Sequence, residues 1–188
     1  MRSQILMVAT SLFVLGISPV RSASPPEQRL VLTETADSYE LSVPISRLVM
    51  TLPRGQFRVV TVPGTDANAD PRYFHFQDAT RGIVISGWFE PSTLYEGLKP
   101  LWKSETDAWK KDRLPKPRNV AFSSFDKWDV VVYDIKLPVG SNTHIRGEWS
   151  ELGTWIDVHI SVTTTEAIDV ARATAMEVLR SLRISEAK

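Results

Sequence analysis

The residue pattern predicts an α+β protein: a twisted antiparallel sheet, with a mid-chain helix and a C-terminal helix packed on one face. Three observations lead there. Short runs of alternating apolar residues, bounded by Pro, Gly and Asn, fill most of the chain. Only residues 98–112 and 165–182 switch to a helical period. The order is strands, helix, strands, helix, rather than the strict alternation that builds a parallel sheet.

Taken in order, residues 24–38 open with Ser24-Pro25-Pro26 and read as a flexible lead-in to a single domain over 39–188. Tyr39 to Val43 alternates until Pro44 interrupts it. Arg47 to Leu52 and Phe57 to Val62 are apolar strand runs, the first closed by Pro53-Arg54-Gly55. Residues 63–71 (PGTDANADP) are turn formers throughout and predict a surface loop. Tyr73 to Asp78 and Ile83 to Glu90, separated by a short turn ending in Gly82, predict a hairpin.

Leu98, Leu101, Trp102, Glu105, Ala108 and Trp109 then form one stripe at helical spacing. Lys110, Lys111 and Arg113 suit the dipole at its C-terminal end, and Leu114-Pro115-Lys116-Pro117 stops it. Strands follow at Val120 to Phe125, Trp128 to Leu137, His144 to Ser150 and Thr154 to Val162. In the final helix Ile168, Ala171, Ala175, Val178, Leu179 and Leu182 make one apolar face.

Residues 1–23 read as a secretory signal peptide. Arg2 is the positive start, Ile5 to Ile17 the short apolar stretch, and small residues follow. The expectation is an exported protein, periplasmic or secreted, with no stable membrane insertion. The chain is neutral, with 22 basic and 22 acidic residues; without Arg2 and Arg21 its charge is −2. Neither value favours nucleic acid as a partner. There is no cysteine, which excludes a disulfide scaffold, a thiol nucleophile and Cys-ligated zinc.

The stretch Gly153-Thr154-Trp155-Ile156-Asp157-Val158-His159-Ile160, the helix after it, and Ser181-Leu182-Arg183-Ile184 together resemble the end of the Mog1/PsbP-like fold family. The resemblance covers most of the chain after the leader. It implies binding and assembly more often than catalysis, and it brings no catalytic motif with it.

No nucleotide-binding glycine motif, H-E-x-x-H or G-x-S-x-G occurs, and the cofactor is unknown. Ser124-Phe125-Asp126-Lys127 fits S-x-x-K, but no K-T-G follows and chance accounts for it.

The informative pattern is strand parity. With the last hairpin turning at Leu152-Gly153, Glu148 faces Asp157 and Arg146 faces His159. Side chains alternate between faces. Ile145, Trp149, Ile156, Val158 and Ile160 therefore share one face, and His144, Arg146, Glu148, Trp155, Asp157 and His159 the other. Opposed carboxylates repel. Relief is expected from Arg146, from a protonated His159 or from a cation. His75, flanked on its own face by Tyr73 and Gln77, could join the histidines. Three histidines, or two with a carboxylate, suit zinc or copper, but the spacing carries no ligand signature and no metal is assigned.

These seven residues, His75, His144, Arg146, Glu148, Trp155, Asp157 and His159, form the candidate ligand-binding face. The leading expectation is a non-enzymatic module that engages an envelope protein or a small polar ligand through that exposed face. The alternative is a periplasmic hydrolase using Glu148, Asp157 or His159 as acid and base, with a pocket at those residues. A third reading is an envelope factor acting only through an apolar patch.

Overall fold

In the computed structural model, residues 29–60 and 72–187 are described. The leader over 1–23, the loop over 63–71 and the end of the run from Phe57 lie outside the described residues. The described residues form eleven strands and two α-helices: β1 Val31–Glu34, β2 Ser38–Ser42, β3 Leu48–Pro53, β4 Arg58–Val59, β5 Tyr73–Asp78, β6 Ile83–Pro91, α1 Leu98–Lys111, β7 Arg118–Phe125, β8 Trp128–Lys136, β9 Ser141–Glu151, β10 Thr154–Thr164, α2 Ile168–Ser181 and β11 Arg183–Glu186. The α+β class, the antiparallel pairing and both helices agree with the sequence pattern. No described helix is long and apolar enough to cross a membrane.

The strands form two antiparallel sheets rather than one. The smaller is ordered β1-β2-β3-β11 and the larger β4-β5-β6-β10-β9-β8-β7. β1 falls inside the stretch expected to be a loose lead-in. It pairs with β2 from Val31↔Ser42 to Glu34↔Tyr39, and its side chains are all exposed. It is an edge strand that leaves Val31 and Leu32 exposed, so its Val-Leu-Thr-Glu sequence has no alternation to mark a buried face.

One face of the large sheet carries Phe74, Phe76, Ile83, Ile85, Phe89, Val130, Ile145, Ile156, Val158 and Ile160. These merge with Tyr39, Leu41, Leu48, Met50 and Leu52 of the small sheet and with Ala171, Ala175, Val178 and Leu179 of α2 in one buried cluster. Tyr39 stacks 4.9 Å from Phe76 and donates to the Phe57 carbonyl at 3.1 Å. Arg172 ties α2 to the sheet through buried Asp134 at 2.7 Å, and Asn119 and Thr143 donate to the same carboxylate.

The two helices do not share a face. α2 lies on the core side, where an added Cβ at Gly147 would meet Leu179 at 3.0 Å. α1 lies on the opposite side, where Trp102 and Trp109 pack 4.8 and 5.4 Å from the Tyr133 ring. The α1 stripe is therefore buried against the face that parity marks as polar. Helical periodicity shows that a helix has an apolar side; it does not show which side of a sheet receives it.

Candidate functional site

The hairpin β9-β10 folds with the register that its turn predicts. Glu148 faces Asp157, Gly147 faces Val158, Arg146 faces His159 and Ser150 faces Trp155. Leu152 and Gly153 form the turn with φ of 49° and 76°, the left-handed pair that a two-residue hairpin requires. His144, Arg146, Glu148, Trp155, Asp157 and His159 consequently share a face. β5, β6 and β8 extend it laterally: His75 faces Ser86, which faces His159, while Tyr133 faces His144 and Asp129 faces Glu148.

That face is not the open surface expected from the sequence. Glu148 is 1% exposed, Asp157 4% and Trp155 9%. Arg146 is their hub. Its Nε and Nη2 donate to Asp157 at 3.0 and 2.5 Å, its Nη1 lies 2.5 Å from Glu105 of α1, and its Nε is 3.2 Å from Glu148. Trp155 donates its indole N–H to Glu148 at 2.5 Å and stacks on Tyr95 at 5.3 Å. Tyr95 donates to Asp129 at 3.1 Å. Trp155 is thus a buried donor to the cluster, not an exposed aromatic edge.

One guanidinium faces three carboxyl groups, so full ionisation would leave a buried charge of −2. Burial, with Asp157 adding to it and Arg146 opposing, pushes the Glu148 carboxyl well above its ordinary range. Burial also raises Glu105, again against Arg146. Burial works against the charge on Arg146, but Asp157 and Glu105 outweigh it and fix the guanidinium as charged. The repulsion between Glu148 and Asp157 is thus offset by Arg146, and it favours the protonated form of Glu148.

Protonation of His159 does not contribute. Burial, with Arg146 beside it, pushes His159 down to about 3. Its Nε2 sits 2.9 Å from His144 Nδ1 and 3.3 Å from the Tyr133 hydroxyl. The Tyr133 and His144 rings stack with an interplanar angle of 2°. Burial, reinforced by His159, holds His144 well below its ordinary value. His144 and the Tyr133 phenol thus converge on one ring nitrogen of a second neutral imidazole, His159 Nε2, next to the charge cluster.

His75 is on the same face but does not meet the pair. Ser86 of β6 stands between it and His159, and two strand spacings amount to about 10 Å. Tyr73 lies 3.4 Å from His75 through its hydroxyl. Among the described residues, no group of three His, Asp or Glu side chains has a geometry for a metal ion. The histidines are thus one pair and one separate residue.

Sequence reasoning missed Glu105, Tyr133 and Tyr95. Glu105 carried a signal, because it is the carboxylate within an apolar helical stripe. A charge there requires a buried partner. Tyr133 could be found by extending parity to β8; Tyr95 lies in a connecting segment without a pattern.

The fold and this site define an α+β protein with a buried four-residue charge cluster and a neutral histidine pair on one sheet face. The chain matches no known protein-family model, and no curated protein sequence matches it.

Proposed function

We propose that the chain is an exported binding or assembly module without catalytic turnover, engaging a partner protein or small polar ligand through the half of its polar sheet face that lies beside the charge cluster. One observation carries this reading. Each charged group of the cluster is engaged by another group of the same chain, and α1 covers them. They act as an internal lock. The neighbouring half of the face presents half-buried Tyr73, Gln77, Ser86 and Trp88 around His75, with His144 and His159 at its inner margin. Tyr73 and Trp88 stack at 4.9 Å, an aromatic pair suited to recognition.

The leader-like pattern of residues 1–23 supports export. The Mog1/PsbP-like resemblance supports assembly over catalysis. A photo-crosslinking residue at Ser86 is expected to capture an envelope partner, and Gln77→Ala, at a half-buried position of the same face, to weaken that capture without lowering the melting temperature. Equal capture from a control position such as Lys136 would overturn the reading.

The hydrolase alternative has one observation in its favour: two carboxyl groups with raised proton affinity stand beside a neutral histidine. It predicts hydrolysis of ester, amide or glycoside test substrates that disappears in both Glu148→Gln and His159→Asn. Turnover that behaves this way would replace the binding reading.

A further inference from the structure

The seven-stranded sheet leaves one long edge open. β7 is its terminal strand, and no described strand pairs with its outer side. The other terminal strands are short: two residues in β4 and four each in β1 and β11, against eight in β7. Proteins guard such edges with charge, proline, bulges or brevity. β7 has a bulge only at its start, between Arg118 and Ala121, where Asn119 takes a φ of 51°. From Ala121 to Phe125 the register with β8 is unbroken, and residues 119–125 (NVAFSSF) hold neither a charge nor a proline. Every side chain from Arg118 to Ser124 is exposed. Phe122, at 43%, is the one exposed aromatic ring among the described residues.

The backbone pattern specifies what fits this edge. Phe125 and Trp128 close the two-residue turn Asp126-Lys127. Such a closing pair exchanges hydrogen bonds, and bonded pairs then alternate along the ladder. Ala121, Ser123 and Phe125 therefore turn their N–H and C=O groups to β8, while Phe122 and Ser124 turn theirs outward. The next ladder agrees. Counted from the Leu152-Gly153 turn, Glu148, Arg146 and His144 turn toward Asp129, Val131 and Tyr133 of β8, which leaves Val130 and Val132 for Ser123 and Ala121. A two-fold axis at Phe122 sets this outward pattern against itself, with Phe122 opposite Phe122 of the second copy and Ser124 opposite Val120. The run also has oppositely charged ends, Arg118 at its start and Asp126 after it, and neither forms an ion pair among the described residues. Antiparallel pairing brings each Arg118 toward the other copy's Asp126; parallel pairing brings like charges together.

We infer that β7 is a dimerisation edge: two copies of this chain pair β7 with β7, antiparallel about Phe122, so that their large sheets run on as one. The helices leave room for it. α1 is fixed over β8 and β9 through Tyr133 and Arg146, so the two copies of α1 stand about four strand spacings, roughly 19 Å, apart. A helix with its side chains is only about 10–12 Å across. Phe122, with its ring 6.3 Å from Trp102, then meets its counterpart on the helix side of the seam. The edge is separate from the polar face around His75.

Sedimentation of the intact protein over a range of concentrations is expected to show a reversible dimer. Phe122→Lys and Phe122→Glu are each expected to be monomeric and to form a dimer when mixed, because like charges directly opposite repel and unlike charges attract. Ser124→Pro removes only an outward N–H. It is expected to weaken the dimer about tenfold or more, with the melting temperature unchanged where the parent is monomeric. Ser123→Pro removes a bond to β8 and is expected to lower that temperature. The chain has no cysteine, so oxidised Phe122→Cys is expected to yield a covalent dimer, its two Cα atoms about 5.5 Å apart and within disulfide reach. Leu94→Cys, comparably exposed but remote, is not expected to do so. A monomer at every concentration, a dimer that survives Ser124→Pro, a failure of the mixed charge variants to pair, or equal cross-linking through Leu94→Cys would overturn the proposal. So would a monomer whose Phe122→Cys cross-links to a different polypeptide, which would give the edge to another protein's strand.

Discussion

Arg146 decides the character of the polar face. Its guanidinium meets carboxyls from β9, β10 and α1, and no second cation stands within ion-pair distance of those three groups among the described residues. Removing one partner of a buried ion pair typically costs about 3–5 kcal/mol, because the survivors stay buried and uncompensated. Arg146→Met is therefore expected to lose that much at pH 7, read from the urea midpoint. The loss shrinks as pH falls, because Glu148 and Glu105 take up protons more readily than ordinary carboxyls. The titration of two neighbours has opposite signs. His159 has a folded value of about 3, below the ordinary 6.5. Between these values the unfolded chain binds more protons, so stability falls as pH drops through that window, by at most about 1.4 kcal/mol per pH unit. His159→Asn is expected to flatten that slope. Glu148 is raised in the folded state, so its contribution is present at low pH and lost as pH rises through its folded value. Glu148→Gln is accordingly expected to gain stability relative to the parent at pH 8 and to lose that advantage near pH 4. Paired urea titrations of the three proteins at pH 4, 6 and 8 separate these effects.

At the scale of elements, the hairpin was legible and the helix placement was not. The β9-β10 register follows from one turn, Leu152-Gly153, and from the cost of turning Ile156, Val158 and Ile160 away from the core. Its partner strand β6 is fixed by a different residue. Gly87 faces Val158, and an added Cβ there would lie 2.0 Å from the Asp157 carbonyl oxygen and 2.6 Å from the Phe74 ring. The strand contact is with backbone and has nowhere to yield. Gly147 stands on the other side of the same Val158, but the atoms nearest its Cβ would be side-chain atoms, Leu179 at 3.0 and 3.2 Å and the edge of Trp128 at 3.2 Å. Gly87→Ala is thus expected to prevent stable folding or to part β6 from β10. Gly147→Ala should cost about 1–3 kcal/mol, typical of a modestly overpacked core. Expression level and thermal melts of the two variants test the contrast. The missing knowledge of α1 has the same physical basis. A helix docks wherever complementary side chains await it, and Trp102, Glu105 and Trp109 find Tyr133 and Arg146 on a face whose own alternation reads as solvent-facing.

At the scale of the molecule, two sheets share one core, and the chain's end closes it. β11 leaves α2 through buried Leu182 and pairs with β3 from Arg183↔Thr51 to Glu186↔Leu48. Arg47 and Glu186 form an ion pair at that seam, with both side chains half-exposed or more, so screening leaves it a minor contributor. The strand pairing matters more. β3 brings Leu48, Met50 and Leu52 into the common cluster, each 1% exposed, and β11 covers its outer edge. A bare edge on a strand with so apolar a face is a template for pairing with another chain. Deleting residues 183–188 leaves α2 and its contacts with β9 and β10 intact. The deletion is therefore expected to lower the melting temperature while preserving the helical signal, and to produce concentration-dependent oligomers larger than those of the parent in light scattering. A deletion protein that assembles no further than the parent at high concentration, with an unchanged melting temperature, would show that the small sheet holds its edge without β11. In that case the two-sheet core would be closed by α2 alone, through Ala171, Ala175, Val178 and Leu179.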